Sequence, residues 1–321
     1  MADLQGVRVA VQMDPIEHVN IAGDTTFALM EAAQARGAEL FEFQPKHLWA
    51  EDGRVFARMR AVEVRRQEGD HVTVGARQTA PLAEAADVVL MRQDPPFDMG
   101  YITAAHFLEL IADRVLVLND PAWVRSSPEK ILPLLFPDLQ PPTLIGRDLT
   151  AIEAFRDQYR DIILKPLYGF GGGGVFRVTP TDPNFEAILT ALLAQGPEPV
   201  VAQAFLPAVS DGDKRVILID GEVIGGFNRR PPEGAHRSNM AVGGVAEPIE
   251  LSEADLEVCR RIGPELKRRG LLFVGIDLIG GRLTEINVTS PTGLLPLKAF
   301  TGVDGAALFW DAVRTKLRSS P

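Results

Sequence analysis

The sequence predicts an α/β protein, with an open, largely parallel sheet in its first third and two mixed α+β lobes after it. Three observations carry this. Apolar runs with strand alternation take turns with helix-period segments through the first third, the pattern that builds parallel sheets with crossover helices. A glycine-rich stretch, KPLYGFGGGG from Lys165, lies between two strand-like runs. Late in the chain, FVGIDLI and RLTEINV flank a pair of glycines and read as a hairpin. The length, 321 residues, fits two domains or three lobes at about 150 residues per domain.

Residues 6–12 alternate apolar and polar side chains and form a first strand, ended by Asp14-Pro15. Phe27, Met30, Ala33 and Ala35 recur at helical spacing across 25–36, and Gly37 closes that helix. A second strand covers 39–43. Residues 55–63 and 70–75 are hairpin material, and 87–92 form a third core strand that runs into the loop QDPPFD. A helix over 101–112 and a short strand over 115–118 complete the first unit. Ser127 followed by Pro128 fits an N-cap and a first helical position. PDLQPPTLIG reads as a connector leading into a strand. A helix (150–159), a strand (161–165), the glycine loop, a strand (175–178), a helix (184–195) and a strand (200–205) follow. Beyond Arg215, strands surround Asp220-Gly221. Then come a polar loop with glycines (231–244), a helix (253–269), the hairpin (271–288) and a last helix (305–317). GLLPLKAFTG, between hairpin and last helix, is apolar and proline-broken. Boundaries at 126 and 203 divide the chain into 1–125, 126–202 and 203–321.

Composition narrows the function classes. Hydrophobic residues at 46% and charged residues at 24% match ordinary globular proteins and exclude a disordered chain or a collagen. The longest apolar runs, such as RVLVLND, are too short to span a bilayer. MADLQGVRVAVQMD enters a strand with no basic segment before a long apolar one, so no signal peptide is expected. Cys259 is the single cysteine, which excludes an intrachain disulfide and a cysteine-based zinc site. A cytoplasmic location is the expectation. A net charge of −10, with basic clusters short and scattered, argues against a nucleic-acid partner.

Two motifs carry chemistry. Lys165 ends a strand, and Gly169 and glycines 171–174 follow it. Bare backbone N–H groups can turn toward one anion there, and the lysine adds a point charge. A glycine run alone fits a flexible hairpin tip equally well; the strand-terminal lysine favours phosphate. No Gly-Lys-Ser/Thr follows, so this is not a Walker loop. In the late hairpin, a three-residue turn of Gly280-Gly281-Arg282 sets Asp277 opposite Glu285, with Asn287 on the same face. Val274, Ile276, Ile286 and Val288 then share the other face. Two carboxylates and an amide oxygen suit Mg²⁺, which takes a few protein oxygens plus substrate phosphates. A solvated hairpin face is the plainer alternative, but facing carboxylates without a cation repel. Between the motifs, Gln203-Ala204-Phe205-Leu206 could present backbone groups and an apolar slot to a purine, with Asp213-Lys214-Arg215 supplying charge. A buried strand and an exposed charged turn fit those residues too.

Longer strings carry a resemblance. MDPIEHVNI (13–21), MRQDPPFD (91–98), Glu129-Lys130, DIILKPLYGFGG (161–172), LPAVSDGDKRV (206–216) and FVGIDLIGGRLTEINVTSPT (273–292) resemble, in that order, the prokaryotic glutathione synthetases, which are ATP-grasp ligases. The resemblance runs through nearly the whole chain. It implies an N-terminal α/β domain followed by a two-lobed ATP-grasp domain. It implies that the cysteinyl carboxylate of γ-glutamylcysteine attacks the γ-phosphate of ATP, and that glycine displaces phosphate from the resulting acyl phosphate. By position it implies Lys130, Lys165, Gly171 and Gly172 as phosphate ligands. Gln203, Ala204, Phe205 and Leu206 become the adenine hinge, with Asp213 reaching the ribose. Asp277, Glu285 and Asn287 become ligands of two Mg²⁺ ions, with Mn²⁺ as a substitute. Arg215 and Arg229 would neutralise the transferring phosphate. Arg237 and Asn239 fall in a lid-like loop. Asp14, Asn20, Arg92, Asp94, Ser290, Thr292 and Gly293 would meet the substrates. A homotetramer is implied as well. The chain departs from the family pattern at Tyr168, where an aspartate is more usual, and in the apolar segment after Thr292.

Overall fold

Four strands lie parallel in the spatial order Glu39–Phe43, Arg8–Gln12, Val88–Met91, Leu116–Leu118 in the computed structural model, which describes residues 3–231 and 244–319. Val9, Ala10, Val11, Val88, Val89 and Leu90 are all buried, as expected of parallel strands covered on both faces. The flanking helices Thr25–Ala35 and Met99–Glu109 start at Asp24 and Asp98, whose carboxylates accept from the N–H groups of Phe27 and Tyr101. Such caps satisfy backbone donors that have no partner within the helix. The long strand Arg54–Val64 adds antiparallel to Glu39–Phe43 and pairs with Leu48–Glu51, Val72–Val74 and Gln78–Pro81. Leu48–Glu51 and Gln78–Pro81 escape the sequence reading because four residues are too few to display a period.

Ser127 does not start a helix. It ends one, Pro121–Ser126, which begins at the cap Asp120 with Pro121 in the first turn. Asp120-Pro121 is the same cap-proline pair displaced upstream. The Ser127 hydroxyl instead accepts from Arg269 Nη1 at 3.1 Å.

A second sheet, wholly antiparallel, orders Phe176–Val178, Ile162–Pro166, Val200–Ala204 and Thr143–Gly146. Its helices are Leu149–Tyr159 and Phe185–Leu193. A third antiparallel sheet orders Val245–Pro248, Glu222–Arg230, Asp213–Ile219, Phe273–Ile279 and Arg282–Asn287. Its last hairpin turns on two residues, not three. Ile279 pairs with Arg282, and Gly280 and Gly281 both have positive φ, as tight hairpin turns require. A bulge between Asp277 and Leu278 in the pairing then restores Asp277 opposite Glu285. GLLPLKAFTG is also not broken by its proline. Residues Leu294–Thr301 are helical, and Pro296 sits in the first turn, where an N–H would have no intrahelical partner anyway.

The cores divide unevenly. Ile152, Phe155, Ile162, Leu164, Leu189 and Val200 belong to a core confined to the second sheet and its helices. The third sheet instead shares its cores with the first domain: Val216, Ile276 and Ile286 cluster with Phe43 and Tyr101, and Phe273 and Trp310 with Val9 and Phe27.

Candidate active site

Strand register builds the charged centre. Asp213 pairs with Arg229, Arg215 with Asp277, and Asp277 with Glu285. Asp213 and Arg215 are two residues apart and so share a face. A row of charged groups therefore crosses the third sheet, arginine and aspartate alternating until Asp277 meets Glu285. Arg215 Nε donates to Asp277 Oδ1 at 2.6 Å and Nη2 to Oδ2 at 3.2 Å. Arg229 Nη2 lies 3.0 Å from Asp277 Oδ2 and 2.5 Å from Asp213 Oδ2. Lys165 of the second sheet and Lys130 of the segment that follows helix Pro121–Ser126 close the row. Lys165 Nζ is 3.3 Å and Lys130 Nζ 3.5 Å from Glu285 Oε1, and Lys130 also donates to the Gly169 carbonyl at 2.6 Å.

This packing sets the protonation of each group. Burial opposes ionisation of Asp277, but Arg215 and Arg229 overcome it and hold the carboxyl well below its usual range. Burial likewise opposes Glu285, and Lys130 and Lys165 hold it low. Asp213 is pushed up to about 6, chiefly by burial against the pull of Arg229. Burial lowers Lys165, and the adjacent Lys130 adds to this while Glu285 pulls the other way. Burial and Glu285 raise Glu129. In the interlocked cluster, four cations face three carboxylates, leaving it one charge positive. An anion is what it lacks.

Two cavities meet at Glu285. One is lined by Lys130, Lys165, glycines 169 and 171–173, Gln203, Ala204, Phe205, Leu206, Asp213 and Asp277, with Ile163, Val209 and Ile279 as apolar walls. Gly171, Gly172 and Gly174 have positive φ, a conformation that turns successive N–H groups to one side. Gln203 is held by its own Nε2, which donates to Thr143 Oγ1 at 2.9 Å. The other cavity, about 880 Å³, is lined by Asp94, Glu129, Arg215, Arg229, Asn287 and residues 289–293, with Leu295, Pro296, Ala299 and Phe300 as an apolar wall.

Three expected residues stand apart from both cavities. Asp14 accepts from the Asp94 N–H at 2.8 Å and so positions that residue. The Asn20 side chain accepts from Ala22 N at 3.2 Å in a turn. Arg92 is buried, donating to Thr26 Oγ1 at 3.0 Å and to the Pro291 carbonyl at 2.9 Å. It braces the 290–293 segment from behind. Ser290, Thr292 and Gly293 line the larger cavity. Arg237 and Asn239 lie outside the described residues. Sequence reasoning gave no individual role to Glu129, Thr289 or the wall of helix Leu294–Thr301, because nothing in their local pattern separates a cavity wall from an ordinary turn or core.

Asp277, Glu285 and Asn287 offer two carboxylates and an amide on one face, a hard-oxygen set suited to Mg²⁺. The Asn287 amide nitrogen donates to the Gly275 carbonyl at 3.1 Å, which leaves its oxygen for the cavity. The donor chemistry fits the ion. The positive balance means that it fits best together with a polyphosphate.

Two family models match the chain. Residues 7–125 match the prokaryotic glutathione synthetase N-terminal domain, and residues 129–302 match the ATP-grasp domain of the same family. The chain belongs to the prokaryotic glutathione synthetase family. The glutathione synthetase of Mesorhizobium japonicum is 53% identical over 310 residues, covering 97% of this chain and 99% of its own. That of Brucella melitensis is 54% identical over 310 residues, with the same coverage of 97% and 99%. D-cycloserine synthetase DcsG superposes with a TM-score of 0.68 at 17% identity, over 97% of this chain and 99% of that one, a likeness of fold alone. As a member of the glutathione synthetase family, the chain is an ATP-dependent ligase built on the ATP-grasp fold. No helix among its described residues is long and apolar enough to cross a membrane.

Proposed function

We propose that the chain joins γ-glutamylcysteine to glycine, converting ATP to ADP and phosphate through an acyl phosphate. The meeting of the two cavities at Glu285 supports this most directly. Adenine fits the slot beside Gln203, Ala204, Phe205 and Leu206, with Asp213 toward the ribose. The phosphates then run toward Lys130, Lys165 and the N–H groups of Gly171 and Gly172. The terminal phosphate reaches the junction, where Arg215 and Arg229 face the second cavity. A carboxylate oxygen attacks phosphorus there, and the β–γ bridge oxygen leaves with ADP. The acceptor ammonium first gives up one proton to solvent; the neutral amine nitrogen then bonds to the acyl carbon, phosphate leaves, and the second proton passes to solvent or phosphate. Such transfers depend on positioning and charge neutralisation, which the two lysines and two arginines supply. Mg²⁺, held by Asp277, Glu285 and Asn287, would neutralise phosphate charge when bound; Mn²⁺ meets the same donors. Asp94, Ser290, Thr292 and Gly293 offer polar groups to the acid substrate, with Asp14, Asn20 and Arg92 setting the shape of its surroundings.

ATP-dependent phosphate release, measured with γ-glutamylcysteine with and without glycine, tests the reading. Glycine-dependent release, with glutathione identified by mass, is the expected result. The apolar wall of Leu295, Pro296, Ala299 and Phe300 favours one second reading, a ligase of the same chemistry with a bulkier amine. A panel of amines in the same assay decides between them. We further read the protein as a cytoplasmic homotetramer divided near 126 and 203; sedimentation would reveal a different assembly.

A further inference from the structure

Glu129 lines the larger cavity as a partly buried carboxylate with no lysine, arginine or histidine within ion-pair distance among the described residues. Glu285, the other glutamate there, is engaged by two lysines. Glu129 also stands at the phosphate end. It lines the small recess beside Lys130 and Gly169, and its carbonyl accepts from Ile286 N at 3.0 Å, next to Glu285. The Thr289 hydroxyl donates to its Oε1 at 2.8 Å. That bond fixes the carboxylate against the wall and leaves Oε2 for a ligand.

Asp94 is the other carboxylate in this cavity outside any ion pair among the described residues, and it belongs to the N-terminal side, where its N–H is held by Asp14. The ligation proposed above brings two ammonium groups into this space. One, on the γ-glutamyl moiety, is remote from the carboxylate being activated. The other belongs to the acceptor and must end beside the acyl phosphate. A carboxylate and an ammonium in a partly desolvated site form a charge-assisted hydrogen bond. We infer that Glu129 binds the ammonium of the acceptor amino acid next to the site of acyl phosphate formation. The inference rests on that ligation and adds the acceptor's anchor to it.

Glu129→Gln keeps the side chain's size and its acceptor for Thr289 while removing the charge. The KM for glycine should rise roughly tenfold or more, the equivalent of about 1.4 kcal/mol. The KM values for ATP and γ-glutamylcysteine should stay within about twofold. Acyl phosphate formed without glycine and trapped by hydroxylamine should also be retained. Glu129→Asp, which keeps the charge on a shorter stem, should recover part of the glycine KM, and it carries the test if the glutamine variant does not fold. An unchanged glycine KM overturns the inference. So does loss of hydroxamate formation, which would place Glu129 in the ATP half of the reaction. A wild-type protein that forms no glutathione overturns the ligation itself, and this is seen before any variant is compared.

Discussion

Asp277 and Glu285 face each other across a hairpin, yet they answer to different surroundings. Asp277 is buried and holds two arginines, whereas Glu285 is partly exposed and holds two lysines, Lys165 from the second sheet and Lys130 from the segment before it. Neutralising a buried partner leaves uncompensated charge inside the protein, at a cost of about 3 kcal/mol. Asp277→Asn should therefore lower both stability and turnover, as seen by denaturant melts beside the assay. Glu285→Gln leaves Lys130 and Lys165, both buried, without their carboxylate, so it should lower the melt as well, and on the proposed reading it should reduce kcat by about 10²-fold or more. Wild-type turnover in that variant would remove Glu285 from the metal assignment. The positive balance of the cluster makes a second prediction. Mg²⁺ titrated alone should give little heat, and Mg²⁺ with a non-hydrolysable ATP analogue a clear isotherm. Tight binding of the bare ion would show that the carboxylates are freer than their ion pairs imply.

At the level of elements, the helix Glu253–Arg268 is capped by a reciprocal pair, Ser252 with Asp255, and pressed against the turn of a neighbouring hairpin. A Cβ on Gly263 would run into the Gly221 carbonyl oxygen, and one on Gly221 would lie 2.6 Å from that of Gly263. Alanine is ordinarily about 1 kcal/mol better than glycine inside a helix. Gly263→Ala should nonetheless destabilise the protein by about 1–3 kcal/mol, because backbone must move; a neutral or stabilising result in denaturant melts would mean the contact is loose. Cys259 on the same helix is buried, and burial chiefly pushes its thiol up to about 12. It should resist a disulfide reagent at pH 8 until the protein is unfolded, and Cys259→Ala should keep full turnover. A raised acid binds more protons in the folded state. Its contribution to stability is thus complete below the ordinary thiol value of 9.0 and lost as pH climbs toward about 12. The elements themselves were largely legible, since alternation and helical period report burial directly. The hairpin turn was not. A three-residue and a bulged two-residue turn both set Asp277 against Glu285, so the pairing was right and its cause wrong. Pro296 misled in the same way, because a proline breaks a helix only where an N–H is needed.

At the scale of the molecule, the charged groups that meet between the two cavities come from parts far apart in the chain. Lys130 follows the first domain, Lys165 lies in the second sheet, and Arg215, Asp277 and Glu285 lie in the third. Family-like strings made these residues visible, and register explains why they meet. The apolar segment after Thr292 already stood out in the sequence, whereas Glu129 becomes visible only in the folded chain, because a cavity is a property of packing between elements. The unequal cores lead to a further expectation. The second sheet and its helices have a core of their own, whereas the first and third sheets share theirs. Segments that exchange few apolar contacts open as separate cooperative units. Leu189 is buried in the second core, and Leu189→Ala should cost about 2–5 kcal/mol there. Native-state hydrogen exchange should then lose protection across 143–204 and keep it in the strands Arg8–Gln12 and Phe273–Ile279. The matching substitution Ile276→Ala, within a shared core, should weaken the first and third sheets together. Loss of protection in all three sheets from Leu189→Ala would mean that the charged contacts of Lys130 and Lys165 with Glu285 bind the lobes into one unit, and that the nucleotide slot opens only when the whole protein does.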